Sequence, residues 1–442
     1  MGFALRVLAV MAYRPALFYL GDSVVYLFNA GHLRPDSFHP AGYAVFLALL
    51  SNLGRNLMVV PVAQHILGVA AASLIYAALI RRDVRPWLAA LGSAPLLLDG
   101  YQVDVEQMVM SEALVTFLLV AGFALLLWKP PAPMFYLMGA GACLAAAAVT
   151  RSAVMVAIIP AILLVAGRDR SSLTRAGVLG VSFAALALAY AGWHAAADGN
   201  FTIDDKTGLF LYGRVAPIAN CSRLPPSDQP LCDTRPIGHR PGEDYYIWSP
   251  MSPMRRHLRT HSYIVPEGRV GTFAFDTIRN QPFDYARLVL WDTARYFKPL
   301  RTTYYYDAPI QALQFPTSIR WATNIVLTNQ GFVRSGGRAL APTRRTFWLP
   351  VATNLHDYQL IGYTPGPLLL LAVLLVGLGI VRRRPDRSAM LLVLCGLLQL
   401  VAASAAAQFD YRFLIPAQPF LMMGGILSLR KFSWARPLNI RT

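Results

Sequence analysis

Apolar runs of about 17–24 residues alternate with short polar joints along much of the chain. About 20 apolar residues in an α-helix are needed to cross a ~30 Å hydrocarbon core. The runs predict spans at 2–20, 57–80, 87–100, 111–128, 134–150, 153–167, 176–197, 365–381, 389–407 and 413–429. The first span carries Arg6 and Arg14 and is interrupted at Arg14–Pro15. No small-x-small cleavage site follows it, so it reads as a first membrane helix rather than a signal peptide. The stretch after it, "GDSVVYLFNAGHLRPDSFHPAGYAVFLALL" (21–50), regains an apolar run only after Pro40. At about ten residues that run is too short to cross and suits a helix lying along the membrane surface. It belongs to a first outer loop, 21–56.

Between 198 and 364 the pattern stops. This stretch of about 165 residues has no span-length run and is long enough for a folded domain outside the membrane. Residues 200–266 read as loop, and 269–297 as two amphipathic helices joined near Gln281–Pro282, because Pro favours the start of a helix. The expected organisation is therefore an all-α polytopic membrane protein of about ten transmembrane helices. It has an N-terminal membrane module (1–197), an extracytoplasmic mixed or α domain (198–364), and three last helices with a tail (365–442).

Composition agrees with this picture. The 442 residues are 55% hydrophobic and 14% charged, against the ~25% charged share of a soluble domain. The net charge of +17 raises a nucleic-acid partner as a question, which position answers. Arg81, Arg82, Arg85, Arg168, Arg170, Arg175, Arg382, Arg383, Arg384 and Arg387 sit in short loops, where positive charge sets membrane orientation. With both termini cytoplasmic, every such loop and the C-terminal Arg430, Lys431 and Arg436 fall on the cytoplasmic face. There is no basic tail, and nucleic acid is excluded as a partner. Of four cysteines, Cys143 and Cys395 lie in spans as packing residues. Cys221 and Cys232 bracket a proline-rich outer loop, where an oxidising exterior favours a disulfide.

The same topology puts ionisable residues at the outer ends of the helices. Asp22 and Asp36 lie in the first outer loop; Asp104, Glu106 and Glu112 lie in "DGYQVDVEQMVMSEAL"; Arg151 follows the fifth span; Asp410 and Arg412 precede the last. A charge at the bilayer centre costs about 2.5–3.5 kcal/mol on insertion scales. Helix-end capping would explain any one of these groups, but four junctions on one face point to a shared polar cavity. Gln64–His65, inside the second span, reads as an interhelical hydrogen-bonding pair.

"GDSVVY", "HPAGYAVFL", "MSEAL", "TRS" and "DYRFLIPAQP", in this order, resemble motifs of the GT-C superfamily of integral-membrane glycosyltransferases. The resemblance covers about 1–195 and 365–430 and implies a polyprenyl-phosphate-linked sugar donor. That family often has two adjacent acids in the first loop, associated with metal in some members. Here Ser23 follows Asp22, so no metal ligand is assigned and a divalent metal is left open.

The chemistry asks for the same residue types. Transfer from a lipid phosphosugar needs a base for the acceptor hydroxyl, and a rim carboxylate with its pKa raised by desolvation is the ordinary candidate. The leaving phosphate calls for arginine, always charged and bidentate. Asp22 is the expected base, with Tyr26 over the same helical face. Arg151 and Arg412 are expected to bind phosphate, with His39 as a further donor. Asp104 or Glu106 is expected to orient the acceptor or hold Asp22, and Glu112 to position its helix.

The reading is an enzyme moving sugar to an envelope or cell-wall glycan, lipid or protein on the outer face of the cytoplasmic membrane. The alternative is a transporter or flippase of lipid-linked sugars; no inverted repeat or midplane acid supports it. There is no P-loop, Rossmann fingerprint or zinc-spaced cluster, so a nucleotide-sugar donor is unsupported. In the outer domain, "YYIW" (245–248) and "YYYD" (304–307) read as core aromatics rather than sugar-stacking platforms.

Overall fold

A computed structural model describes residues 1–19, 21–36, 38–258, 265–318, 340 and 346–430. The C-terminal residues Lys431 and Arg436 lie outside them. Among the described residues the only sheet is a two-stranded pairing of β1 (Tyr13–Arg14) with β2 (Thr346–Phe347). Everything else of regular structure is helical.

The membrane-facing part begins with α1 (Gly2–Ala12), α2 (Asp22–His32) and α3 (Gly42–Ser51). There follow α4 (Val59–Arg81), α5 (Pro86–Leu98), α6 (Gly100–Gln107), α7 (Glu112–Trp128), α8 (Met134–Ala148), α9 (Ile158–Val165) and α10 (Arg170–Asp198). The segment between the two groups of apolar helices holds α11 (Thr207–Val215), α12 (Glu243–Trp248), α13 (Pro253–Leu258), α14 (Glu267–Asn280) and α15 (Pro282–Arg295). The chain ends with α16 (Leu349–Ile361), α17 (Gly366–Val381), α18 (Arg387–Ala406) and α19 (Leu414–Leu429).

Five helical stretches among the described residues are long and apolar enough to cross a membrane: Val59–Arg81, Arg170–Asp198, Leu349–Val381, Arg387–Ala406 and Tyr411–Leu429. Their surfaces fit that environment. Only 22% of the most apolar window of Arg170–Asp198 is buried in the protein, so its hydrophobic side chains face outward, where water would oppose them and lipid does not. Tyr411–Leu429, 89% buried, is instead the hub against which α5, α7, α17 and α18 pack. The expected spans at 87–100, 111–128, 134–150 and 153–167 correspond to shorter apolar helices.

The span expected over 2–20 is corrected. α1 has 11 residues, a rise of about 16 Å, short of the ~30 Å hydrocarbon core. It ends because Pro15 has no N–H to give a helix and disfavours helical geometry at Arg14. The freed backbone pairs with β2 instead, Tyr13 opposite Phe347 and Arg14 opposite Thr346. α16, absent from the sequence reading, packs on α1 and α6.

The segment holding α11 to α15 is more ordered than expected. Residues 200–266, read as loop, contain α11, α12 and α13. Tyr212, Tyr246 and Phe273 form the centre of a separate small core, with ring contacts of 6.2 and 5.2 Å around Tyr212. The two helices expected at 269–297 are α14 and α15, with Pro282 opening the second. Cys221 and Cys232 are joined as a disulfide, their Cα atoms 6.0 Å apart. Of the aromatic clusters, Tyr246 is core, whereas Tyr305 is fully exposed.

The helix ends sort the charges. At one end Arg430 Nε pairs with Asp386 (2.7 Å), Arg82 donates to Ser388 Oγ (3.2 Å), and Arg387 reaches the carbonyls of Leu163 and Ala166. The short Arg-rich joints thus gather together. The acids and arginines of interest meet elsewhere.

Candidate active site

Asp22 is the first residue of α2, and Tyr26 stands one turn on, over the same face. The loop after α2 is pinned by Asp36, which accepts from Asn29 Nδ2 (2.8 Å) and from the Phe38 backbone (3.2 Å). It returns His39 onto the Tyr26 ring (4.9 Å between centroids), with Nε2 3.6 Å from Asp22 Oδ1. Tyr43 at the start of α3 closes edge-on against Tyr26 (4.7 Å).

From the far end of the chain, Asp410 caps the short 3-10 turn 411–413 by accepting from Arg412 N (2.8 Å). The Arg412 guanidinium then lies between Asp410 (2.8 Å from Nε) and Asp22, with which it forms an ion pair. Tyr19 donates to Asp410 Oδ2 (2.7 Å) and offers its ring face to Arg412 (4.9 Å). Beside this group, Glu112 at the start of α7 pairs with Arg151, and the Arg151 guanidinium stacks over Phe413 (4.8 Å). Tyr26 Oη lies 3.3 Å from Ser111 Oγ, next to Glu112. The Asp22, His39, Arg151 and Arg412 side chains keep 15–24% exposure, while Glu112 is sealed behind them with Oε2 unpartnered among the described residues. Six of the predicted residues, Asp22, Tyr26, His39, Glu112, Arg151 and Arg412, thus share one partly open site.

The Asp22 carboxyl departs from expectation. Burial alone would raise its pKa, but the Arg412 cation and the His39 contact outweigh burial and hold it well below the usual carboxylate range. It is an ion-paired carboxylate, not the desolvated, raised-pKa acid expected.

Asp104 and Glu106, expected to orient the acceptor or hold Asp22, make no contact with Asp22 among the described residues. Glu106 is fully buried and held by Arg6 Nε (2.8 Å), His65 Nδ1 (2.9 Å) and Gln102 Nε2 (2.8 Å). Asp104 is fully buried with both oxygens unpartnered among the described residues. The reason is α6, which tucks its acids inward against α1 and α4 rather than presenting them at a rim. Gln64 behaves as expected, bonding Tyr43 Oη (2.7 Å) and the carbonyls of Glu106 and Met108 (2.9 and 2.6 Å). Gly68 lets α4 approach this network, since a Cβ there would overlap the Glu106 carboxylate. Gly68→Ala is expected to lower stability by about 1–3 kcal/mol, the range for overpacking, read as an earlier thermal unfolding midpoint in detergent. An unchanged midpoint would show that Glu106 can move aside.

Metal binding finds little support in the side chains. Ser23, where the resembled family often has a second acid, is buried and accepts from Tyr19 N (2.8 Å) while donating to Val109 O (2.9 Å). Among the described residues no three His, Cys, Asp or Glu side chains converge in a metal-binding group. Asp22 is already engaged by two basic residues, so this arrangement does not fit a metal site.

Sequence reasoning missed Tyr19, whose hydroxyl and ring fix Asp410 and Arg412, and Arg6, the partner of Glu106. An arginine inside an apolar run was a usable signal, because such a charge needs a partner.

The sequence matches no protein-family profile and no curated protein. Several solved structures align with this chain. The S. cerevisiae protein O-mannosyltransferase Pmt1-Pmt2 complex bound to the sugar donor aligns over 53% of this chain and 36% of that one, at 15% identity and a TM-score of 0.37. The Archaeoglobus fulgidus oligosaccharyltransferase in the apo form aligns over 98% and 50%, at 13% identity and 0.42. ArnT from Cupriavidus metallidurans bound to undecaprenyl phosphate aligns over 97% and 76%, at 11% identity and 0.38. The chain therefore spans 36% and 50% of the first two. Likeness of this size carries no weight for substrate or activity, which rest on the site.

Proposed function

We propose that the protein is an integral-membrane glycosyltransferase that moves a sugar from a polyprenyl-phosphate donor to a cell-envelope acceptor on the outer face of the cytoplasmic membrane. The observation that carries the reading is the meeting of Asp22, His39 and Arg412 beside the Glu112–Arg151 pair, with Asp22, His39, Arg151 and Arg412 partly open. Two arginines, each paired with a carboxylate at the end of apolar helices, suit an anionic lipid-linked donor and a hydroxyl acceptor.

In this reading the acceptor oxygen attacks the anomeric carbon as the sugar–phosphate bond breaks. The bonding pair leaves on the phosphate oxygen, where Arg412 and Arg151 meet the developing charge. The acceptor proton passes to Asp22. Donor binding also strengthens that base. A phosphate that shares Arg412 weakens its hold on Asp22, so the carboxyl pKa rises when the substrate is present. Direct displacement inverts the anomeric centre.

The test is transfer of radiolabelled sugar from polyprenyl phosphate in membranes containing the protein or its Arg412→Gln variant. A charge-assisted hydrogen bond contributes about 1.5–3 kcal/mol, so the variant is expected to bind donor about 10–100-fold more weakly. Normal donor affinity in the variant would remove Arg412 from the phosphate site. Label crossing the bilayer without transfer, in either protein, would replace the enzyme by a transporter.

A further inference from the structure

Helix α15 turns its apolar side outward. Phe283, Leu290 and Trp291 are 88%, 65% and 53% exposed among the described residues, and Ala286, Arg287 and Ala294 share their face. The inward side is the more polar one. Tyr285 donates to the Ala405 carbonyl (2.9 Å), and Asp292 pairs with the buried Arg214 and Arg295. A helix that buries its charges and exposes Phe, Leu and Trp is inverted for contact with water.

Its position says what covers that face. Tyr285 touches Ala405, at the outer end of α18. Just past the other end of α15, the backbone of Phe297 and Lys298 lies so close to Gly366, the first residue of α17, that a Cβ there would overlap it. Tyr363 donates to the Pro299 carbonyl (3.1 Å) at the same place. Two helical stretches apolar enough to cross the membrane, Leu349–Val381 and Arg387–Ala406, thus meet α15, one just past its end and one at its first turn. A helix of 14 residues, about 21 Å long, strung between them runs along the membrane boundary.

We infer that α15 is a membrane-surface helix whose partner is the headgroup layer of the bilayer that holds α17 and α18, with a preference for anionic lipid. Phe283 and Leu290 enter the acyl boundary, and Trp291 sits at headgroup depth, the level that amphipathic aromatic rings favour. Arg287 on the same face reaches up to the headgroups along its aliphatic stem. Arg279 before the helix is exposed, and Lys298 after it stands over the Trp291 ring (5.3 Å). These cations face anionic headgroups, each such charge adding to surface attraction. Asp284 is the acid on the exposed side, at the edge away from Leu290. Leu300 and Tyr305, 66% and 96% exposed, extend the patch beyond the helix. Anchored this way, the outer segment is held over the site, because Tyr296, next after α15, donates to the Asp410 carbonyl (3.1 Å).

Spin labels test this in the full chain, reconstituted in nanodiscs of phosphatidylcholine and phosphatidylglycerol. Cys143→Ala and Cys395→Ala remove the free thiols, and Phe283→Cys, Asp284→Cys and Leu290→Cys carry the label. Oxygen, which partitions into lipid, is expected to collide more often than the water-soluble nickel chelate at 283 and 290, and the order to invert at 284. Chelate access at 283 and 290 would overturn the inference in favour of a water-facing surface. Exclusion of both reagents would overturn it in favour of a protein partner or another part of the chain. Should a labelled variant fail to fold, Trp291→Phe supplies the second measurement. Quenching by lipids brominated near the glycerol is expected to fall relative to the unsubstituted protein, and more steeply with phosphatidylglycerol present; equal quenching would overturn the inference.

Discussion

Asp22→Asn is expected to lower sugar transfer by roughly 10²–10⁴-fold, the contribution of a positioned general base, while donor affinity holds or tightens. The second half of the result distinguishes this role from a structural one. Asp22 pairs with Arg412, and in the proposed mechanism it competes with the donor phosphate for that guanidinium. Neutralising it leaves Asp410 beside Arg412 (2.8 Å) and frees the side of the guanidinium that a phosphate would use. Single-turnover transfer and binding of labelled donor, measured on the same membranes, separate the two effects. Transfer at the normal rate would exclude Asp22 as base.

The pH profile follows from the same pairing. The carboxyl of the free protein is held below the usual carboxylate range by Arg412 and His39, so it remains ionised well into acid. Its stabilising contribution is present above the unfolded-state pKa and is lost only as pH falls through the depressed folded value. The acid limb of kcat/KM, which reports the free enzyme, should lie at lower pH than that of kcat, which reports the donor complex in which Arg412 is shared. Coincident limbs, or the reverse order, would mean that donor binding leaves the Asp22–Arg412 pair intact.

Glu106→Ala is expected to destabilise the fold by about 3–5 kcal/mol, the cost of leaving a buried charge without its partner. Arg6 is 2% exposed, and among the described residues its guanidinium otherwise reaches only the carbonyls of Gly2, Leu96 and Leu97. His65 would lose its 2.9 Å contact at the same time. The double substitution Arg6→Met with Glu106→Leu removes both charges and restores apolar volume, so it should recover much of the loss. Thermal unfolding of the three proteins in detergent gives the comparison. A double variant as unstable as Glu106→Ala would show that packing, not the unpaired cation, sets the cost.

The site was more legible than the network behind it, for physical reasons. Asp22, Glu112, Arg151 and Arg412 each stand where an apolar run ends, and such boundaries can be read locally because hydrophobic length is a property of contiguous residues. Asp104 and Glu106 stand in a similar position but belong elsewhere. The intervening "GYQVDVEQ" forms a helix buried on every side, and nothing in its spacing distinguishes a rim acid from one paired with a distant arginine. The pKa of Asp22 was misread for a related reason. Desolvation can be guessed from sequence, but the cation that outweighs it comes from 390 positions away.

By itself, then, the sequence determined the helical membrane architecture, its interruption by a segment without span-length runs, the two amphipathic helices around Pro282, and the ionisable residues at helix ends. These depend on hydropathy and turn chemistry over windows of a few to about twenty residues. Only the tertiary structure decided which ends meet: α2 with the 411–413 turn, the start of α7 with Arg151, and α1 with α6. It also turned the apolar face of α15 outward, a matter of which side finds a partner. Those pairings bridge up to hundreds of residues, and they follow from how the helices pack against one another, not from any local pattern.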